Sequence, residues 1–135
     1  MTRSTTPLLD RVGNTPLVPL KSMTRHLPSS VEVWVKCEWF NPGGSVKDRA
    51  ARAIVVRAVE QGLLGGGRRL LDASSGNTGI AYAWMGARLG FGVTLCLPRN
   101  ANAERRRTLE AYGVELVLTD PLLGSDGAIL EAHRI

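Results

Sequence analysis

Arg68-Arg69-Leu70-Leu71-Asp72-Ala73-Ser74-Ser75-Gly76-Asn77-Thr78-Gly79-Ile80-Ala81-Tyr82-Ala83-Trp84 is the stretch on which the fold turns. Arg68 to Ala73 reads as a short strand, Ser74 to Asn77 as a loop, and Thr78 to Leu89 as a helix. Ile80, Ala83, Trp84 and Ala87 fall on one face of that helix, and Gly90 is its stop signal. The same grammar continues downstream. Val93 to Leu97 is an apolar strand closed by Pro98, a helix runs from about Ala103 to Tyr112 and ends at Gly113, and Val114 to Thr119 is a further strand of continuous apolar character.

Upstream, Val31, Val33, Val35 and Cys37 alternate with Glu32, Trp34, Lys36 and Glu38, the pattern of a strand with one face more buried. After the turn formers Asn41-Pro42-Gly43-Gly44, Ser45 can cap a helix, and Asp48 three residues on completes an acidic capping box. That helix should run to Gln61, with Gly62 as its stop. Leu8 to Val12 suggests a short helix, Leu17 to Leu20 a short edge strand, and Gly65-Gly66-Gly67 a tight surface turn. Gly127 to Ile135 reads as a helix without a cap signal, so the chain is expected to be cut within an element. Alternating strands and helices predict an α/β fold: an open, mainly parallel sheet of about four strands with right-handed crossover helices.

The length of 135 residues suits one domain. With 44% hydrophobic and 21% charged residues, the disordered and fibrous classes drop out. No apolar run reaches the roughly 18 residues needed to cross a bilayer. Met1 to Thr6 has no apolar signal-peptide core, so a cytoplasmic protein is expected. Cys37 and Cys96 sit in predicted strands without metal-ligand spacing, which makes them reduced, buried and apolar in role, and no metal site is expected. The net charge of +5 raises nucleic acid as a partner. Its densest cluster, Arg105-Arg106-Arg107, would wrap a helix as a solvated face, and 5% aromatic residues offer few stacking platforms, so no nucleic-acid partner is expected. His26 and His133 have no partner pattern and read as surface residues.

Ligands of open parallel sheets bind beyond the carboxyl ends of the strands, and two loops here are unusual in composition. In the first, Lys47 would lie in the opening turn of a helix, where the positive end of the macrodipole disfavours its ammonium form. A neutral amine is what a carbonyl-bearing cofactor needs, although a solvated lysine satisfies the same position. The second loop, Ser74-Ser75-Gly76-Asn77-Thr78-Gly79, offers free backbone N–H groups, hydroxyls and glycines at a helix start. That composition suits an anion site or an ordinary helix cap. Neither loop is a nucleotide signature: Lys47 lies between Val46 and Asp48, unlike a P-loop lysine, and Gly65-Gly66-Gly67 precedes its strand.

Taken in order, Gly13-Asn14-Thr15-Pro16-Leu17, Asn41-Pro42-Gly43-Gly44-Ser45-Val46-Lys47-Asp48-Arg49 and Ser75-Gly76-Asn77-Thr78-Gly79 resemble the cysteine synthase and cystathionine β-synthase family. The resemblance extends through Leu97-Pro98, Glu104-Arg105-Arg106 and Tyr112-Gly113-Val114-Glu115-Leu116-Val117-Leu118. It implies the N-terminal part of a fold-type II pyridoxal-phosphate enzyme. Lys47 would then bond the cofactor aldehyde and carry the α-proton, and Asn77 would hydrogen-bond the cofactor's 3′ oxygen. Ser74, Ser75, Gly76, Asn77 and Thr78 would grip the substrate carboxylate, while Asp48 and Arg49 would serve structure. The implied reaction replaces the activated hydroxyl of a serine, such as O-acetylserine or O-phosphoserine, using sulfide to give cysteine, in a homodimer when full length.

The resemblance also implies that residues 1–40 pack on a C-terminal domain, and that 41–135 form a small α/β domain carrying the lysine. The family's glycine-rich phosphate loop and the serine facing the pyridine nitrogen would lie beyond residue 135, so weak cofactor binding and little turnover are expected of this polypeptide alone. Ser74 stands where threonine is more usual, Asp72-Ala73 where Glu-Pro is common, and Gly44 is a tolerated variant. Rival readings are a cystathionine β-synthase, a 2,3-diaminopropionate-forming relative, and, from another class, a non-catalytic remnant or regulatory binding module. A serine or threonine dehydratase is disfavoured by Ala50 after the arginine and by the Asn-Pro lead-in.

Overall fold

The computed structural model describes residues 7–135. Three strands, β3 (Arg69–Ala73), β4 (Gly92–Pro98) and β5 (Glu115–Thr119), form a parallel sheet in the order β3-β4-β5. Leu70 pairs with Val93, and Leu95 with Leu116. Between them run α3 (Asn77–Leu89) and α4 (Ala103–Ala111), so the alternating pattern has become two successive βαβ units. Five consecutive residues of the central strand, Val93 to Leu97, are buried because both faces of β4 are covered. Val93 and Leu95 face α3, where a Cβ on Gly86 would stand 2.6 Å from Val93 Cγ2 and one on Gly79 would stand 2.9 Å from Leu95 Cδ1. Thr94 and Cys96 alternate to the other face, under α5 (Gly124–Arg134), which packs on all three strands.

One core joins these layers. Ala51 and Val55 of α2 (Lys47–Glu60), Ala81 to Met85 of α3, Val93, Leu95 and Leu97 of β4, and Leu109 of α4 form a single buried cluster. Leu9 of α1 (Pro7–Asp10) belongs to it too, and Arg52 Nε fixes α1 by donating to the Leu9 carbonyl. Each fully buried Leu or Val stabilises by about 1.5–3 kcal/mol in transfer terms. Among the described residues no helix is long and apolar enough to cross a membrane.

The mainly parallel α/β class holds, but the strand count and four local expectations change. The strand expected over 31–38 shortens to β2 (Trp34–Lys36), which pairs antiparallel with β1 (Leu17–Pro19) in a separate two-stranded ribbon. Its alternating charges explain this: a strand covered on both faces reads as a continuous apolar run, as β4 does, whereas Glu32 and Lys36 require a wet face. Cys37 lies just past β2 and not in it, although it and Cys96 are buried and free as expected. The helix expected to show one apolar stripe is instead buried all round from Ala81 to Gly86, while Ala87 is exposed, because α3 is wedged between β4 and α2. Gly90 closes it at φ +78°, a left-handed backbone that favours glycine. Finally, α5 begins at Gly124, after a 3-10 turn over Pro121–Leu123 that Asp120 caps by accepting the Leu122 N–H.

Candidate active site

The lysine-bearing turn is a lattice of hydrogen bonds made by its neighbours. Asn41 is buried; its Oδ1 accepts the Gly13 N–H at 2.8 Å and its Nδ2 donates to the Glu38 carbonyl at 2.8 Å and to Glu38 Oε2 at 2.7 Å. Arg49 pairs with Glu38 at 2.8 Å and also donates to the Gly13 carbonyl at 2.9 Å. The Arg49 guanidinium, helped by Asn41 and Thr15, pulls the Glu38 carboxyl down to about 2. The Gly13-Asn14-Thr15 and Asn41-to-Arg49 motifs are thus one physical unit. Arg49 as an ion-pairing residue is borne out, with Glu38 as its partner.

The expected capping box does not form. Ser45 Oγ accepts the Lys47 N–H at 3.2 Å, but Asp48 does not reach back to Ser45. Its side chain is 0% exposed; Oδ2 accepts the Gly43 N–H at 2.5 Å and Oδ1 accepts from Trp84 Nε1 at 3.3 Å. Burial pushes the Asp48 carboxyl up, against the opposing pull of those two donors. Its role is therefore structural, as expected, but its partners differ: it ties the turn before α2 to the middle of α3. Trp84 packs so closely there that Gly43 has no room for a Cβ, which would lie 2.3 Å from Asp48 Oδ1 and 2.8 Å from Trp84 Nε1. Lys47 itself is the first residue of α2 and is exposed, and among the described residues its amine makes no hydrogen bond or ion pair.

The second loop lies at the carboxyl end of β3. Ser74 Oγ accepts the N–H groups of Gly79 at 3.0 Å and Gly76 at 3.4 Å, so the serine shapes the loop from within. The backbone N–H groups of Ser75, Asn77 and Thr78 have no partner among the described residues, and the N-cap residue of α3, Gly76, has no side chain to supply one. These donors, at the positive end of a helix of 13 residues, suit a carboxylate or phosphate. Ser74, Ser75, Gly76, Asn77 and Thr78 come together as one site. Lys47 is tied to them through its helix, by the Asp48–Trp84 bond and the packing of α2 on α3, with no direct hydrogen bond to the loop.

One residue at this site was misread from sequence. Arg105, expected on a solvated face, is half-buried and donates from Nη1 to Asn77 Oδ1 at 3.0 Å. The signal was available: Asn102 begins α4 just beyond β4, where the chain turns beside the loop after β3, and the first turn of α4 must face that loop.

A parallel α/β sheet with a donor-rich loop at its carboxyl edge, and a helix-initiating lysine braced on the same helix, defines a small-molecule domain built for an anionic, carbonyl-bearing ligand. The family model described as pyridoxal-phosphate dependent enzyme matches residues 8–135, and the chain belongs to that family. It is 52% identical over 129 residues to cysteine synthase of Aquifex aeolicus, covering 95% of this chain and 39% of that protein. It is 47% identical over 117 residues to cysteine synthase B of Escherichia coli, covering 87% of this chain and 38% of the other. The crystal structure of cysteine synthase from Entamoeba histolytica superposes with a TM-score of 0.90 at 38% identity, covering 99% of this chain and 41% of that one. The chain thus spans about 40% of the length of the relatives it matches. The donor set fits the cofactor: a lysine amine for its aldehyde, an amide N–H for its ring oxygen, and free backbone N–H groups for a bound carboxylate.

Proposed function

We propose that this chain forms the lysine-bearing part of an enzyme that replaces the activated hydroxyl of O-acetylserine or O-phosphoserine with sulfide, giving L-cysteine. The single observation that carries the reading is the set of unpartnered N–H groups of Ser75, Asn77 and Thr78, in the loop and first turn that open the helix to which the Lys47 turn is anchored. Likeness to cysteine synthases supports the reaction class.

Bound here, pyridoxal phosphate supplies the electron sink for bond breaking at the amino acid's α- and β-carbons. Lys47 would hold the cofactor through its amine, and that amine, once displaced by the substrate's own amino group, would be free to take the substrate's α-proton. Asn77 would donate from Nδ2 to the ring oxygen. Ser75, Asn77 and Thr78 hold the substrate carboxylate with backbone N–H groups and hydroxyls, Gly76 leaves space for its approach, and Ser74 fixes the loop's shape.

The same proposal divides the polypeptide near residue 40. Residues 41–135 are the cofactor-lysine domain; of the preceding segment, Leu9 and Gly13 to Thr15 are tied to that domain, and the remainder packs on further polypeptide. The exposed side chains of Leu17, Val18, Trp34, Trp39 and Phe40 support this division, since they leave large apolar groups in water on and just after the ribbon. A cytoplasmic homodimer is proposed on the family resemblance.

The test uses the full-length protein with pyridoxal phosphate, offering O-acetylserine, O-phosphoserine and serine in turn with sulfide or homocysteine. Cysteine formed from an O-activated serine, and lost in Lys47→Ala, is the expected result. Cystathionine from serine and homocysteine would move the assignment to the cystathionine β-synthase reading. No product with any pair, from protein that binds no cofactor, would favour a non-catalytic role.

A further inference from the structure

Asn77 carries two chemically opposite ends, a carbonyl oxygen that only accepts and an amide nitrogen that only donates. Half a turn about its last side-chain bond exchanges them, and that torsion is soft. The side chain is exposed, so burial does not choose between the two orientations. Arg105 does. A guanidinium has donors and no acceptor, so it can hold Asn77 only by Oδ1, and it does so at 3.0 Å. With Oδ1 held, Nδ2 is turned away from Arg105 and free to donate.

Arg105 is itself held at its backbone. Asn102 Oδ1 accepts the N–H groups of Glu104 at 2.9 Å and Arg105 at 3.2 Å, which fixes the first turn of α4. That helix packs on α3, and the pairing of β3 with β4 brings the two helix starts side by side at the carboxyl edge. The contact therefore spans 28 residues of chain without relying on a flexible loop.

Resting on the function proposed above, we propose that Arg105 is a positioning residue, which locks the Asn77 amide with its N–H toward the ligand and thereby makes the site select an anionic ring oxygen. It touches neither cofactor nor substrate in this role. Its guanidinium orients the donor, and its positive charge polarises the amide so that Nδ2–H becomes a stronger donor.

The test uses the full-length protein and pyridoxal phosphate itself, with cofactor dissociation constant, visible absorption band and melting temperature as separate readouts. Arg105→Ala should weaken cofactor binding about tenfold, as expected for loss of one well-oriented hydrogen bond. Arg105→Glu should weaken it further, because a carboxylate accepts from Nδ2 and turns Oδ1 toward the ring oxygen. It should also shift absorbance from the visible to the near-ultraviolet band. Arg105→Lys, which still only donates, should restore the wild-type band. In an Asn77→Ala background, Arg105→Ala should add nothing, because the arginine acts through that amide.

A purely structural arginine would lower the melting temperature and leave the band and the coupling untouched, and that outcome overturns the inference. Wild-type affinity and spectrum in both Arg105→Ala and Arg105→Glu overturn it equally. Borohydride trapping of the wild-type protein separates the two levels: label on Lys47 with no Arg105 effect defeats this inference alone, whereas no label on Lys47 defeats the functional reading and this inference with it.

Discussion

Adding one methyl group to Gly43 should destabilise the domain by about 2–6 kcal/mol. The backbone at Gly43 is not in the left-handed region, so the penalty is contact and not strain. The new Cβ would stand 2.3 Å from Asp48 Oδ1, 2.8 Å from Trp84 Nε1 and 3.0 Å from Trp84 Cδ1. Neither neighbour can yield cheaply, since Asp48 is 0% exposed and Trp84 is 4% exposed in the core. Overpacking of this kind costs about 1–3 kcal/mol. Pushing Asp48 away also breaks its bonds to the Gly43 N–H and Trp84 Nε1, which adds about 1–3 kcal/mol for buried donors left without acceptors.

Urea denaturation of the full-length protein measures the sum, and Gly44→Ala is the internal control. Gly44 has open space but φ +76°, so its alanine should cost only the left-handed penalty of about 1–2 kcal/mol. The decisive arm is Gly43→Ala combined with Asp48→Ala. Removing the carboxylate removes the shortest of the three contacts, so the pair should be less destabilised than the sum of the single changes. A Gly43→Ala protein within about 0.5 kcal/mol of wild type, or strict additivity with Asp48→Ala, would refute the claim that Asp48 bridges the lysine turn to α3.

Glu38 gives a pH prediction. Its folded value of about 2 lies below the ordinary 4.5, so its contribution is complete above about 4.5 and lost as pH falls toward 2; Glu38→Gln should flatten that segment of the stability curve in chemical denaturation. Asp48, pushed up by burial, has the opposite sign: its contribution is present below the ordinary carboxylate value and lost as pH rises through its folded value. Asp48→Asn should therefore remove a decline on raising pH that the wild type shows. At the site itself, borohydride reduction with pyridoxal phosphate followed by peptide mapping should label Lys47 in the wild type and leave Lys47→Ala unlabelled; label on another lysine would overturn the assignment. Gly79→Ala should cost about 1–3 kcal/mol by thermal melting, since its Cβ would press on Leu95 Cδ1 and the Ser74 carbonyl, both 2.9 Å away; an unchanged melting temperature would mean that α3 can move off β4.

The parallel core was legible because its signals are local: Val93 to Leu97 is an unbroken apolar run, and Gly90 and Gly113 punctuate the helices on either side of their strands. Residues 31–38 misled because period-two alternation identifies a strand but not its sheet, and only the missing second apolar face marks it as ribbon and not core. The loop at 74–79 could be read from composition, as hydroxyls and glycines at a helix start have few other uses. Partner choice could not. Asp48 was assigned to Ser45 by sequence proximity, yet tertiary packing offered Gly43 and Trp84, and Trp84 is 36 residues away. Arg105 was hidden for the same reason, since a run of three arginines looks alike at every position until the neighbouring loop selects one.

The three motifs divide their labour by burial. Asn41, Asp48 and Thr15 are buried and spend their polar atoms on one another's loops, while Lys47 and Asn77 are exposed at the two helix starts. A lysine on a mobile turn would lose the orientation that bond formation at a carbonyl requires, so the chain holds it indirectly, through Ser45 and Asp48 on either side of it. That division explains why Asp48 and Arg49 follow the lysine immediately. On a helix, successive side chains point about 100° apart, so one can turn inward to Trp84 and the next sideways to Glu38 while Lys47 remains free to meet a ligand. A substitution at Asp48 or Arg49 should therefore lower cofactor affinity and stability together, whereas one at Lys47 should abolish labelling while leaving the fold intact.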